Sequence, residues 1–288
     1  MKVDEHPIVI SVGEESLLGI VSQTHGRRDI GVLIVVGGPQ YRVGSHRQFV
    51  LLARDVAAAG FPVMRFDFRG MGDSYGEPRS FESVDTDIKA AIDAFSEFCP
   101  TVSRIVLWGL CDGASASLMY WDRTRDPRVS GMVLLNPWVR SEASLAKTRI
   151  KHYYVQRLFQ VEFWKKLVSG KVGIVRSATE YFHNFSKALN GGGKSEDTEA
   201  VPFQRRMTRA LSSFQGPVLV VLSENDYTAK EFLQYARDDD DLRGALERSN
   251  VGKEIVFEAD HTFSSTAWRG AVSLATRRFL QGVGGVRK

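Results

Sequence analysis

The sequence predicts a layered α/β domain with a mostly parallel central sheet, flanked by helices and interrupted by a helical insertion. Three observations predict it. Apolar, β-branched segments alternate with helix-period segments along most of the chain, which implies right-handed crossovers and parallel strands. A buried-strand pattern at residues 104–108 runs straight into the turn Gly109-Leu110-Cys111-Asp112-Gly113 and then into a run of small residues that starts a helix. Between residues 139 and 213 the alternation stops and resumes afterwards. The predicted bounds are therefore 1–138 and 214–288 for the two parts of the core, and 139–213 for the insertion.

Taken in order, residues 8–12 and 17–21 are apolar and β-branched around the turn-like 13–16, an antiparallel hairpin. Residues 32–36 are continuously apolar, as expected of a strand covered on both faces, and end at Gly37-Gly38-Pro39-Gln40-Tyr41. A helix follows over 45–59 and closes at Gly60. Residues 61–66 form the next strand and lead into Asp67-Phe68-Arg69-Gly70-Met71-Gly72-Asp73-Ser74. Residues 81–98 carry Ile88, Ala91, Ile92 and Phe95 on one helical face. After the Cys111 turn and its helix, 129–135 is a strand ending at Asn136-Pro137-Trp138. Within the insertion, 142–159 and 161–168 have helical patterns rich in aromatics, and 190–197 is a glycine-rich loop. The later core comprises a strand at 217–222, a helical stretch at 229–248, a strand at 254–258 and a helix at 264–280.

With 288 residues and 43% hydrophobic content, the chain can bury a full core. No apolar run reaches the length of a membrane span. Residues 1–7 lack the apolar stretch of a secretory signal, and the two cysteines, Cys99 and Cys111, cannot form a disulfide framework. A cytoplasmic protein is expected. The net charge of +4 is mild and does not by itself imply nucleic acid. Its distribution is uneven, since residues 139–213 hold 14 Lys or Arg against 6 Asp or Glu. That basic stretch points to an anionic ligand or surface, and it equally fits a solvated basic face. No cofactor or metal motif is present. Gly191 to Lys194 resembles a phosphate loop superficially, but no strand precedes it.

The turn at Cys111 has the strand–turn–helix context of a nucleophile elbow, with cysteine where serine is commoner. Such a turn lifts the sulfur to a helix N-terminus, where the helix dipole favours thiolate and oxyanion. The chain order nucleophile, acid, histidine is completed by Asp226, just past the strand at 217–222, and His261, just past the strand at 254–258. A free thiol is only a few per cent thiolate at neutral pH, so His261 as base or ion-pair partner would activate Cys111. Asp226 would fix the imidazole tautomer. Glu224 and Asp260 are rival acids, and His6, His25, His46, His152 and His183 are rival histidines in less suitable places. The oxyanion hole is expected to use the backbone N–H of Asp112 and a donor from the loop after residue 36. Pro39 has no N–H to give, which makes Gln40, through backbone or side chain, the candidate. The segment 67–74 reads as architectural, with Asp67 and Arg69 holding loops together. Cys99, with no evident base, reads as inert.

Over nearly its whole length the chain resembles an α/β-hydrolase. It is more closely similar to one subgroup, the exosortase A system-associated hydrolases of type 1. The stretches that carry this are 37–47, the elbow from Trp108 to Ser115, the strand end from Leu134 to Arg140, and Asp260-His261-Thr262-Phe263. The resemblance implies a bacterial protein encoded with exopolysaccharide and protein-sorting machinery, and a hydrolase with no defined substrate. The residues admit hydrolysis of a small-molecule ester or thioester through an S-acyl enzyme. They also admit acyl transfer to an amine or alcohol, or a non-catalytic scaffold keeping an old site. Cysteine-centred members of the fold, dienelactone hydrolases and bile-acid amino-acid transferases among them, include both chemical outcomes.

Overall fold

A computed structural model describes residues 2–24, 28–38, 40–140 and 201–285. The chain divides into two compact units, Met1–Val139 with Pro202–Lys288, and Arg140–Val201. The helical patterns at 142–159 and 161–168, the glycine-rich loop, Pro39, His25, His152 and His183 lie outside the described residues.

The first unit is built on an eight-stranded sheet in the order β1-β2-β4-β3-β5-β6-β7-β8. β1 (Asp4–Val12) and β2 (Glu15–Gln23) form the expected hairpin, and β2 pairs antiparallel with β4 (Val63–Phe66). From β4 onward the sheet is parallel through β3 (Ile30–Val35), β5 (Arg104–Leu110), β6 (Val129–Leu135), β7 (Val218–Ser223) and β8 (Val251–Val256). All six residues of β3 and of β7 are buried, the outcome their continuous apolar runs require when helices cover both faces.

Consecutive strand residues point to opposite faces, and Trp108 and Gly109 show what each face meets. The Trp108 ring lies edge-on to Phe49 of α1 (Gln48–Ala58), and its Nε1–H donates to Thr276 of α7 (Thr266–Gly285). Gly109 faces the backbone of α3 (Asp112–Thr124), where an added Cβ would lie 2.5 Å from Gly113. On the α3 side follow α2 (Asp85–Phe98) and α4 (Phe203–Ser213), both in contact with α3. Removing side chains such as Phe49, Phe95, Trp108 and Phe214 from water contributes about 1.5–3 kcal/mol each.

Four details differ from the sequence expectation. The helix expected from residue 45 begins with a 3-10 turn, Ser45–Arg47, in which His46 and Arg47 adopt positive φ, so α1 proper starts at Gln48. The stretch 229–248 is two helices, α5 (Tyr227–Asp238) and α6 (Asp240–Leu246), because Asp239 accepts from Leu242 N–H and starts a new helix. β8 begins three residues and ends two residues earlier than expected. It is an edge strand with mostly exposed residues, so apolar Ile255, Val256 and Phe257 did not mark its centre. Finally, α4 belongs to the first unit and not to the insertion expected to run to residue 213. Met207, Ala210 and Leu211 are buried in the core, and Gln204 Nε2–H donates to Val139 O.

Candidate active site

The C-terminal ends of the parallel strands bring four loops together. At the centre, β5 turns into α3 through Cys111, whose φ of 61° and ψ of −126° fall outside the regions L-residues ordinarily adopt. Such a residue costs on the order of 1–3 kcal/mol and persists only where its surroundings dictate it. They do so here. Cys111 N–H donates to Leu135 O at 2.9 Å, and Cys111 O accepts from Ala114 N–H at 3.1 Å and Trp138 N–H at 3.2 Å. The two flanking glycines let strand and helix approach. Beyond the Gly109 contact, a Cβ on Gly113 would drive into Val35 O and lie 3.1 Å from Gly37 N. The elbow is thus locked to β3 on one side and β6 on the other, with Cys111 half-buried.

On one side of Cys111 stand the acid and the histidine. His261 Nδ1 lies 2.8 Å from Asp226 Oδ2. A carboxylate can only accept, so Nδ1 donates and Nε2 is left to exchange protons. Asp226 is 6% exposed and also caps α5, accepting from Thr228 N–H and Ala229 N–H at 3.1 Å each. The cap fixes the carboxylate before the imidazole meets it. The loop carrying His261 is tied to the sheet by buried Asn136, which donates to Ser223 Oγ and to His261 O and accepts from Ser223 N–H. Ser223 Oγ–H in turn donates to Asp260 O at 2.9 Å.

The rival acids are engaged elsewhere. Glu224 accepts from Glu258 N–H at 2.8 Å. Asp260 accepts from the N–H groups of Thr262 and Ser264 and from the Ser264 hydroxyl. Burial pushes the Asp260 carboxyl up, and these hydrogen bonds outweigh it and hold it below its ordinary value. Of the rival histidines, His6 sits in β1 with its ring 5.4 Å from that of Phe98, and His46 lies in the turn before α1.

On the other side of Cys111 is the loop after β3. Gly37 packs so closely on the elbow that a Cβ would collide with Leu110 O and Asp112 Oδ1. Gln40 uses its side-chain oxygen to accept from Ser45 N–H at 3.2 Å. Further along the loop, Arg42 N–H donates to Asp67 Oδ1 at 2.6 Å, and its guanidinium pairs with both Asp67 and Asp73. Asp67 is fully buried and also accepts from Asp73 N–H at 3.1 Å. Arg69 is buried against Asp87 and Glu15. The segment 67–74 therefore splints loops, and through Arg42 one of them is the loop after β3.

One group is absent from the sequence expectation: the side chain of Asp112. Only its backbone N–H was singled out, yet the carboxyl turns back against Gly37, and its Oδ1 is buried without a hydrogen bond. Burial raises the carboxyl to about 6, against the pull of the backbone N–H groups of Gly38, Asp112 and Gly113 and of the nearby His261. An acidic residue directly after the candidate nucleophile was the signal available in the sequence. Cys99 contrasts with all of this, buried beside Gln23, its thiol pushed up to about 11 by burial. Among the described residues no cluster of three or more metal-ligating side chains occurs, and no helix is long and apolar enough to cross a membrane.

The sheet order, the elbow and the acid and histidine loops together define an α/β-hydrolase fold. The chain belongs to the Hydrolase_4 family, described as serine aminopeptidase, S33, which matches residues 31–187. No curated protein matches. Among solved structures, the Pyrococcus furiosus esterase Pf2001 is similar at 16% identity and a TM-score of 0.69, over 98% of this chain and 92% of that one. A dienelactone hydrolase from Anabaena variabilis has 14% identity and a TM-score of 0.60, covering 98% and 99%. A thermophilic esterase from Thermogutta terrifontis, solved with malate bound, has 17% identity and a TM-score of 0.58, covering 97% and 99%. At these identities the likeness is one of fold.

Proposed function

We propose that the protein is an acyl hydrolase of esters or thioesters that works through Cys111, His261 and Asp226. The observation that carries the reading is the 2.8 Å Asp226–His261 pair on the sheet edge where Cys111 occupies a strained strand-to-helix turn. His261 Nε2 takes the thiol proton, and the sulfur attacks the acyl carbon. A C–S bond forms as the carbonyl π electrons move to oxygen. The oxyanion collapses, the bond to the leaving group breaks, and His261 returns the proton to the departing alkoxide or thiolate. Water, deprotonated by His261, then cleaves the S-acyl enzyme and frees the acid and the thiol.

For the oxyanion we assign the backbone N–H of Asp112 and, in preference to Gln40, that of Gly38. Gly38 N–H acts on the Asp112 carboxyl beside the elbow, whereas the Gln40 side chain is held toward Ser45. Losing one such donor costs about 3 kcal/mol of transition-state stabilisation. This assignment also removes the difficulty posed by Pro39.

Cysteine favours a second outcome, transfer of the acyl group to an amine or alcohol, because a thioester reacts with amines more readily relative to water than an oxoester does. The resemblance to exosortase A system-associated hydrolases supports a cytoplasmic role beside exopolysaccharide systems. The basic stretch 139–213 supports an anionic substrate. In that case kcat/KM for an anionic ester falls with ionic strength while a neutral ester is unaffected, and equal responses would remove the idea.

The deciding experiment incubates the protein with p-nitrophenyl esters and acyl thioesters and weighs the intact chain after quenching. One added acyl group, absent from Cys111→Ala, is the expected result. Absence of any adduct or turnover, with the alanine variant indistinguishable, would overturn the reading in favour of a non-catalytic scaffold. Repeating the incubation with an amine or alcohol acceptor distinguishes transfer from hydrolysis.

A further inference from the structure

We propose that the ionised side chain of Asp112 is an internal occupant of the oxyanion site, and that it must take up a proton or swing away before an acyl carbonyl can bind there. The inference rests on the reading of Cys111 as the nucleophile.

Three observations lead to it. The carboxyl lies directly against Gly37, so close that a side chain there would strike Oδ1. Its charge is stabilised by the N–H groups of Gly38, of Asp112 itself and of Gly113, a set that includes both groups assigned above to the oxyanion. Its Oδ1 is sealed from water and makes no hydrogen bond. A carboxylate oxygen has the charge and acceptor character of the oxyanion it displaces. An acidic residue in the first turn of a helix ordinarily gains from the dipole and is more readily ionised. Here burial overrides the dipole and raises the carboxyl to about 6.

The consequence is kinetic. An ionised Asp112 competes with the substrate carbonyl for the same N–H groups, and if it stays nearby it repels the developing negative oxygen. A protonated Asp112 does neither. His261, from the loop after β8, acts on it through space, and Cys111 precedes it on the elbow. Both groups are retained in the variants, so the comparison of variant with wild type isolates the Asp112 side chain.

The test compares the rate of Cys111 acylation by p-nitrophenyl acetate in wild type and Asp112→Asn across pH 5 to 8, with Asp112→Ser in parallel. Asparagine keeps the shape and removes the charge. The expected result is a variant-to-wild-type ratio that rises by at least about tenfold from pH 5 to 8. A trifluoromethyl ketone, which forms an oxyanion on Cys111, should lose affinity over the same interval in wild type relative to Asp112→Asn. A flat or falling ratio with both variants folded overturns the inference and makes the carboxyl a helix-end charge. Failure of both variants to fold overturns it too, since the group is then structural. If neither wild type nor variants acquire an acyl group from any ester or thioester, the nucleophile reading fails and takes this inference with it.

Discussion

The two sides of Cys111 are built on different principles. On the histidine side the acid is fully engaged: Asp226 is capped by two N–H groups and paired to His261 Nδ1, and Asn136 and Ser223 pin the loop behind it. On the other side the loop after β3 is held from a distance, through Arg42 and Asp67, and the Asp112 carboxyl against Gly37 has a buried Oδ1 with no hydrogen bond. One side is preorganised for proton transfer. The other sets an unpaired carboxyl oxygen against Gly37. Preorganisation lowers a barrier only where the groups already stand as the transition state needs them, so the two sides should respond differently to substitution.

The largest effect is expected on the histidine side. Asp226→Asn should lower the acylation rate on the order of 10³–10⁴-fold, with the fold intact by circular dichroism, because asparagine caps a helix as well as aspartate does. Asp226→Ala should add a stability loss of about 1 kcal/mol in denaturant titration. Equal, small effects of both would place the acid elsewhere. Next, Asp67→Asn leaves the Arg42 guanidinium with one fewer charge partner around a buried site, and unfolding free energy should drop by about 3 kcal/mol. The rate with ester should fall through the displaced Gly37–Gly38 loop while the Asp226–His261 pair, followed by the histidine proton resonance, stays in place. A change in that resonance would show that the two sides are mechanically one.

Gly113→Ala tests the joint between them. Its methyl group would press on Val35 O, costing about 1–3 kcal/mol and shifting the oxyanion loop from the elbow. A variant as stable as wild type would mean that β3 and α3 can separate freely.

A pH effect follows for Asp112. Its carboxyl is raised from 3.8 to about 6 by burial, so folding favours the protonated form. The associated stability is complete below about pH 4 and is lost as the pH rises through 6. The melting temperature of wild type should therefore fall across that window relative to Asp112→Asn, and parallel curves would break the argument. The smallest effect belongs to Cys99→Ala, remote from both sides. With its thiol pushed up to about 11, Cys99 should resist alkylation at pH 8 that Cys111 undergoes, and its removal should leave acylation unchanged.

Much of this was legible in the sequence because the relevant signals are local. A continuous apolar run such as residues 32–36 marks a strand covered on both faces, and the small residues after Cys111 start a helix pressed on its strand. Chain order then placed an acid after β7 and a histidine after β8. Less legible were positions set by partners distant in the chain. β8 is an edge strand held by pairing with β7, so its apolar residues did not mark its limits. α4 joins the core because α3 offers it a surface, which no pattern within residues 203–213 reveals.

The amino-acid sequence by itself determined the order of strands and helices, the elbow, and the residue types for proton transfer, since each depends on neighbours within a few positions. Only the tertiary structure decided that Asp226 and not Glu224 or Asp260 meets His261, and that Asp67 reaches Arg42. It alone turned the Asp112 carboxyl inward against Gly37. These are contacts between segments 25 to 75 residues apart, fixed by where the sheet sets down each loop.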